Sequence, residues 1–183
     1  MTQQSERAPL FSAQDLKKLI LPLIAEQFLA VTVGMADTVM VSSVGEAAVS
    51  GISIVDQINT LLIQVFAALA TGGAVVASQY LGRRDRENAV VSAKQLYYVT
   101  FSLSFLIGVI CVLTNRHLLS FIYGRVEPDV MENAATYFWL SALSYPFIAV
   151  YNAGAALFRS MGNSKVSLYA SLGMNIINIG GNA

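Results

Sequence analysis

The chain has 183 residues, 55% of them hydrophobic and 12% charged, where an ordinary soluble chain carries roughly 25% charged residues. Together with a mean hydropathy of +0.59, this composition excludes a soluble domain and specifies an integral membrane protein. Eleven basic and eleven acidic residues cancel, so no net positive charge points to nucleic acid as a partner; a single cysteine, Cys111, excludes an internal disulfide and a cysteine metal cluster.

Residues 1–11 are polar and read as a loose cytoplasmic tail. The first helix is expected over about 12–44. Ser12 and Asp15 suit its first turn, where a hydroxyl and a carboxylate satisfy free backbone N–H groups. Lys17 and Lys18 before an apolar run, with Gly34-Met35-Ala36 after it, resemble a cleaved leader. Glu26 interrupts the run and more apolar segments follow at once, so cleavage is not expected.

Glu26 and Asp37 are the costly residues of this helix. A charge at the bilayer centre costs roughly 2.5–3.5 kcal/mol even on the lenient insertion scale, and its usual role is an ion or proton site facing the bundle interior. The two acids are eleven residues apart, about three turns, and share a face. Ala30 and Gly34 lie between them and admit a close neighbour helix. Pro22 removes one backbone hydrogen bond and is a candidate hinge.

A second apolar segment, about 48–81, exceeds the ~20 residues needed to span and should tilt, bend or project. Gly72 and Gly73 are candidate bending points. Gln57, Thr60, Gln64 and Thr71 share one helical face; the stripe reads either as interhelical glue or as a cavity wall. GRRDREN, 82–88, is a charged loop. A third segment runs over about 89–114. A polar connection is expected over 115–133, with His117 as a solvated residue. The fourth segment, about 134–158, opens with the interfacial aromatics Tyr137-Phe138-Trp139 and contains Pro146, another hinge candidate. RSMGNSK leads to a fifth segment, 166–183. The sequence stops inside it without a polar flank, which reads as an incomplete chain.

With the N-terminus inside, nine lysines and arginines flank the inner side and two, Arg116 and Arg125, the outer side; this bias sets the orientation. The pattern is therefore an all-α, polytopic helical bundle. No phosphate loop, Cys/His metal spacing or nucleophile elbow is present, so no enzyme is expected. Asn175, Asn178 and Asn182 form one polar stripe on the fifth helix. Such amides must find hydrogen bonds in a membrane. They serve either helix adhesion or a cavity shared with Asp37. A carboxylate among neutral oxygens suits a hard cation such as sodium, and a carboxyl in an apolar surround holds a proton more readily.

Five stretches occur in order: LPLIAEQF, GMADTVMVSSVG, ATGGAVVASQYLGRRDRENA, NAGAALFRSMGNSK and MNIINIGGNA. From about residue 15 onward the chain thereby resembles the N-terminal lobe of a multidrug and toxic compound extrusion (MATE) transporter. The resemblance implies twelve transmembrane helices in two six-helix lobes, of which residues 12–183 would supply the first five. It implies a proton- or sodium-coupled antiporter in the bacterial cytoplasmic membrane that exports cationic or amphipathic small molecules. No cofactor is implied beyond the coupling ion; the partners are membrane lipid, substrate and a missing C-terminal lobe.

Asp37 matches the acidic residue in the N-lobe cavity of that family. Asn178 matches the first position of an Asn-x-x-x-Asp cation or proton site, whose second position is Asn182 here. That leaves Asp37 as the main titrating group, with sodium as the one metal it could hold. Glu26, Gln57, Thr60, Gln64 and Asn175 are candidates for the substrate cavity. A lipid-linked saccharide flippase of the same superfamily is disfavoured, since no arginine or lysine lies in a spanning interior. A non-transporting module that docks through small-residue helix faces is the other alternative.

Overall fold

In the computed structural model, which describes residues 13–42 and 45–182 with the side chains at 36–38, 40, 178, 179, 181 and 182 outside the description, five helices follow one another. They are α1 Ala13–Ser42, α2 Glu46–Gly82, α3 Arg86–Tyr123, α4 Pro128–Ser160 and α5 Ser164–Asn182. Four of them (Ala13–Met35 of α1, and all of α2, α3 and α4) are long and apolar enough to cross a bilayer. The 37 residues of α2 extend about 56 Å at 1.5 Å per residue, well beyond a hydrocarbon core of about 30 Å.

The connections are tighter than hydropathy suggests. The charged loop over 82–88 reduces to three residues, Arg83–Asp85. There Asp85 caps α3: one carboxylate oxygen accepts the Asn88 backbone N–H at 3.1 Å and the other the Asn88 side-chain amide at 2.7 Å. These bonds hold the Asp85 carboxyl below its ordinary value of 3.8. The polar connection expected over 115–133 is corrected: α3 continues to Tyr123 and α4 starts at Pro128. Asn115, Arg116 and His117 end the apolar stretch but do not end the helix. It stops at Gly124, whose φ of +70° suits glycine alone, and the next helix begins with proline at its first turn. Ser12 and the residues before it lie outside the described residues.

The packed body is α2, α3 and α4. One core joins Val55 and Phe66 with Cys111, Leu119, Phe138, Ala142 and Tyr145; a second joins Ala70, Ala74 and Ala77 with Leu96, Ala153 and Ala156. Cys111 is a small apolar side chain in the first of these. Small residues set the spacing. A side chain on Gly51 would meet the backbone nitrogen of Ala134 at 2.9 Å, and one on Gly108 the Ala142 carbonyl at 2.9 Å. Buried polar pairs add specificity: Tyr145 Oη donates to Asn59 Oδ1 at 2.7 Å, and Asn59 Nδ2 donates to Ser141 at 3.2 Å.

Helix α1 packs mainly along α5. Short turns join α2 to α3, α3 to α4 and α4 to α5, so α2 and α4 run one way and α3 and α5 the other. No described residue of α1 or α5 belongs to either core. Much of α1 is apolar and open, as at Ile24, Phe28 and Val31, which suits a lipid surround.

Candidate functional site

Glu26 organises the meeting of α1, α4 and α5. Tyr151 on α4 donates its phenol proton to Glu26 Oε1 at 3.1 Å. Ser167 on α5 lies 3.1 Å from Glu26 Oε2 and 2.9 Å from the Ser164 carbonyl, so its single proton serves either acceptor. Arg159, at the end of α4, stands 3.8 Å from Glu26 Oε1, with Glu26 only 16% exposed. The arrangement offsets the cost of burying a carboxylate, since two hydroxyls supply hydrogen bonds and a guanidinium adds an opposite charge close by.

The α5 face toward this cluster carries Ser164, Ser167, Ser171 and Asn175 at steps of three, four and four. The serines are buried. The Asn175 amide nitrogen is buried without a partner among the described residues, as is that of Asn152 beside Tyr151. Sequence reasoning singled out Glu26 and Asn175 but missed Tyr151, Arg159, Ser167 and Ser171. The serine spacing, continuous with the asparagines, was the available signal.

The other candidates fall elsewhere. Gln57, Thr60, Gln64 and Thr71 are exposed on α2, away from the packed cores; Thr71 bonds its own helix at the Ala67 carbonyl. Asp56 accepts a hydrogen bond from Tyr137 at 3.0 Å. Pro22 and Pro146 lie inside continuous helices and are buried, Gly72 faces open space, and Gly73 abuts Leu96. Asp37, Asn178 and Asn182 stand in α1 and α5, and their side chains lie outside the described residues. Among the described residues no group of three or more His, Cys, Asp or Glu side chains could hold a metal ion.

A multi-pass bundle with buried polar seams and an acid tied across three helices is the build of a polytopic helical membrane protein. A family model described as MatE matches residues 22–183, and the chain belongs to that family. It is 30% identical over 169 residues to the uncharacterized transporter YisQ of Bacillus subtilis, covering 92% of this chain and 36% of that protein. It is 28% identical to a probable multidrug resistance protein NorM of Chromobacterium violaceum (98% and 38% covered) and 23% identical to one of Thermotoga maritima (91% and 35%). A solved MOP superfamily transporter from Pyrococcus furiosus shares the fold with a TM-score of 0.83 at 19% identity, over 91% of this chain and 36% of that one. The chain thus spans little more than a third of the length of these relatives.

Proposed function

We propose that this protein works as a secondary active exporter of cationic or amphipathic small molecules. Its driving force is the inward flow of protons or sodium ions, and its N-terminus faces the bacterial cytoplasm. Family membership and the multidrug resistance names of two relatives support the substrate class. The charge bias of the flanks, nine basic residues against two, supports the orientation.

One register carries the coupling assignment. Ser167 of α5 meets Glu26 of α1, and the charge bias of the flanks supports both helices crossing the membrane in the same sense. Eleven residues further along each stand Asp37 and Asn178. Eleven residues are about three turns, after which the same face returns on each helix. The equal step supports Asp37 and Asn178, with Asn182 one turn beyond, as partners around one ion.

Such a carboxylate with neutral amide oxygens holds either a proton or a sodium ion. Competition between that ion and a cationic substrate for one carboxylate couples the two fluxes. Inward movement of one charge releases about 2.3 kcal/mol per 100 mV of membrane potential. The exposed stripe Gln57, Thr60 and Gln64, with Asn175, serves as cavity wall. Glu26, whose oxygens are taken up by Tyr151 and Ser167, anchors α1. Pro22, Gly72, Gly73 and Pro146 are the bending points for alternating access.

Asp37→Asn in the complete protein, reconstituted into vesicles with an imposed proton or sodium gradient, tests the reading. Loss of gradient-driven efflux is the expected result. Driven efflux at the unaltered rate overturns the coupling role.

A further inference from the structure

We propose that the end of the bundle where α3 gives way to α4 binds a zwitterionic phospholipid headgroup, a phosphodiester that carries a primary ammonium, as in phosphatidylethanolamine. A cleft of about 780 Å³ opens there, lined among others by Arg116, Ser120, Arg125, Pro128, Met131 and Glu132. Arg116 and Arg125 are the two arginines of the segment from 115 to 133, which holds no lysine. The turn at Gly124 brings both to one cleft. Neither forms an ion pair within 4.0 Å among the described residues, where the one such pair is Arg159–Glu26. Two guanidinium groups and the Glu132 carboxylate thus face the same space without neutralising each other.

The charges define the ligand. Guanidinium forks match the paired oxygens of a phosphodiester. The first turn of α4 adds N–H groups that no side chain caps, since Glu127 makes no capping hydrogen bond. Glu127, Asp129 and Glu132 make the start of α4 acidic, so a ligand that is only an anion meets repulsion. A ligand that brings its own ammonium places that group against Glu132 and turns the acids to advantage.

A stripe on α3 selects a lipid over a soluble phosphate ester. Leu106, Ile110 and Leu113 are exposed, the last at 76%. They follow at steps of four and three, and the face continues through Arg116 to Ser120 at steps of three and four. An acyl chain lying along that stripe delivers its headgroup into the cleft. The adjoining Phe121 is 88% exposed, as expected of a residue that meets lipid.

The test is lipid retention by the complete purified protein in native mass spectrometry, with phosphatidylethanolamine, phosphatidylglycerol and phosphatidylcholine in competition. Phosphatidylethanolamine should be retained about tenfold over the other two, the worth of one charge-assisted hydrogen-bonded pair. The double variant Arg116→Gln, Arg125→Gln should lose that retention. Glu132→Gln should keep phosphate binding but erase the preference for phosphatidylethanolamine over phosphatidylglycerol. An unaltered melting temperature in each variant shows that folding is intact. Equal retention of all three lipids overturns the proposal, as does retention that ignores both substitutions. A titration with inorganic phosphate separates the sources: saturable, arginine-dependent phosphate binding without lipid preference marks a free-anion site and overturns the lipid assignment.

Discussion

Gly51→Ala should loosen the α2–α4 contact, and its cost can be worked from the geometry. A Cβ at Gly51 lies 2.9 Å from the Ala134 nitrogen, 3.0 Å from the Val130 carbonyl oxygen and 3.1 Å from the Asn133 Cβ. Contacts of this kind are comfortable near 3.5 Å, so the helices must part by about 0.5 Å. Two of the three atoms are backbone, and none can rotate aside. Overpacking of this kind costs about 1–3 kcal/mol. Alanine recovers about 1 kcal/mol through its better helix propensity, which leaves a net loss of up to about 2 kcal/mol. Gly72→Ala is the matched control, because a side chain there meets nothing within 4 Å and only the propensity gain of up to about 1 kcal/mol remains. Thermal unfolding of the complete protein in detergent should show Gly51→Ala melting below the parent and Gly72→Ala at or above it. Equal melting temperatures for the two variants would refute the close-approach argument.

Three further outcomes follow from named contacts. Tyr145→Phe leaves the buried Asn59 carbonyl without its donor and should cost about 1–2 kcal/mol in the same unfolding assay; an unchanged midpoint contradicts it. Glu26→Ala removes the acceptor of Tyr151 and Ser167, so hydrogen exchange should quicken along α1 and stay level in α2 to α4; uniform exchange in all helices counts against the anchor. Because folding lowers the Asp85 carboxyl below 3.8, its cap stabilises fully above that value and is lost as the pH falls through the lowered one. The stability difference between the parent and Asp85→Asn should therefore hold steady near neutrality and vanish in strong acid.

Much of the architecture is legible in the sequence because hydropathy reports where a chain meets lipid. It reports less well where a helix ends. Asn115, Arg116 and His117 mark the edge of the apolar stretch, yet α3 runs on until Gly124 supplies a backbone turn that other residues resist. Glu26 stands out as an expensive acid. Its partners do not, since Tyr151 and Ser167 lie 125 and 141 residues away and only the folded bundle unites them. The same holds for Asn59, which reads as one more polar residue of α2 until Tyr145 and Ser141 are set against it. The serine run of α5 is the intermediate case: its helical spacing is visible, its destination is not.

Because both greasy cores are confined to α2, α3 and α4, displacement of α1 together with α5 leaves them closed. Lipid tails are as apolar as leucine, so a bare helix face that slides out of contact exchanges one hydrocarbon neighbour for another at little expense. What resists such sliding is the small knot of hydroxyls and guanidinium around one carboxylate, at about 0.5–1.5 kcal/mol for an ordinary hydrogen bond and more for a charged one. A barrier assembled from a few bonds of that size amounts to only a few kcal/mol.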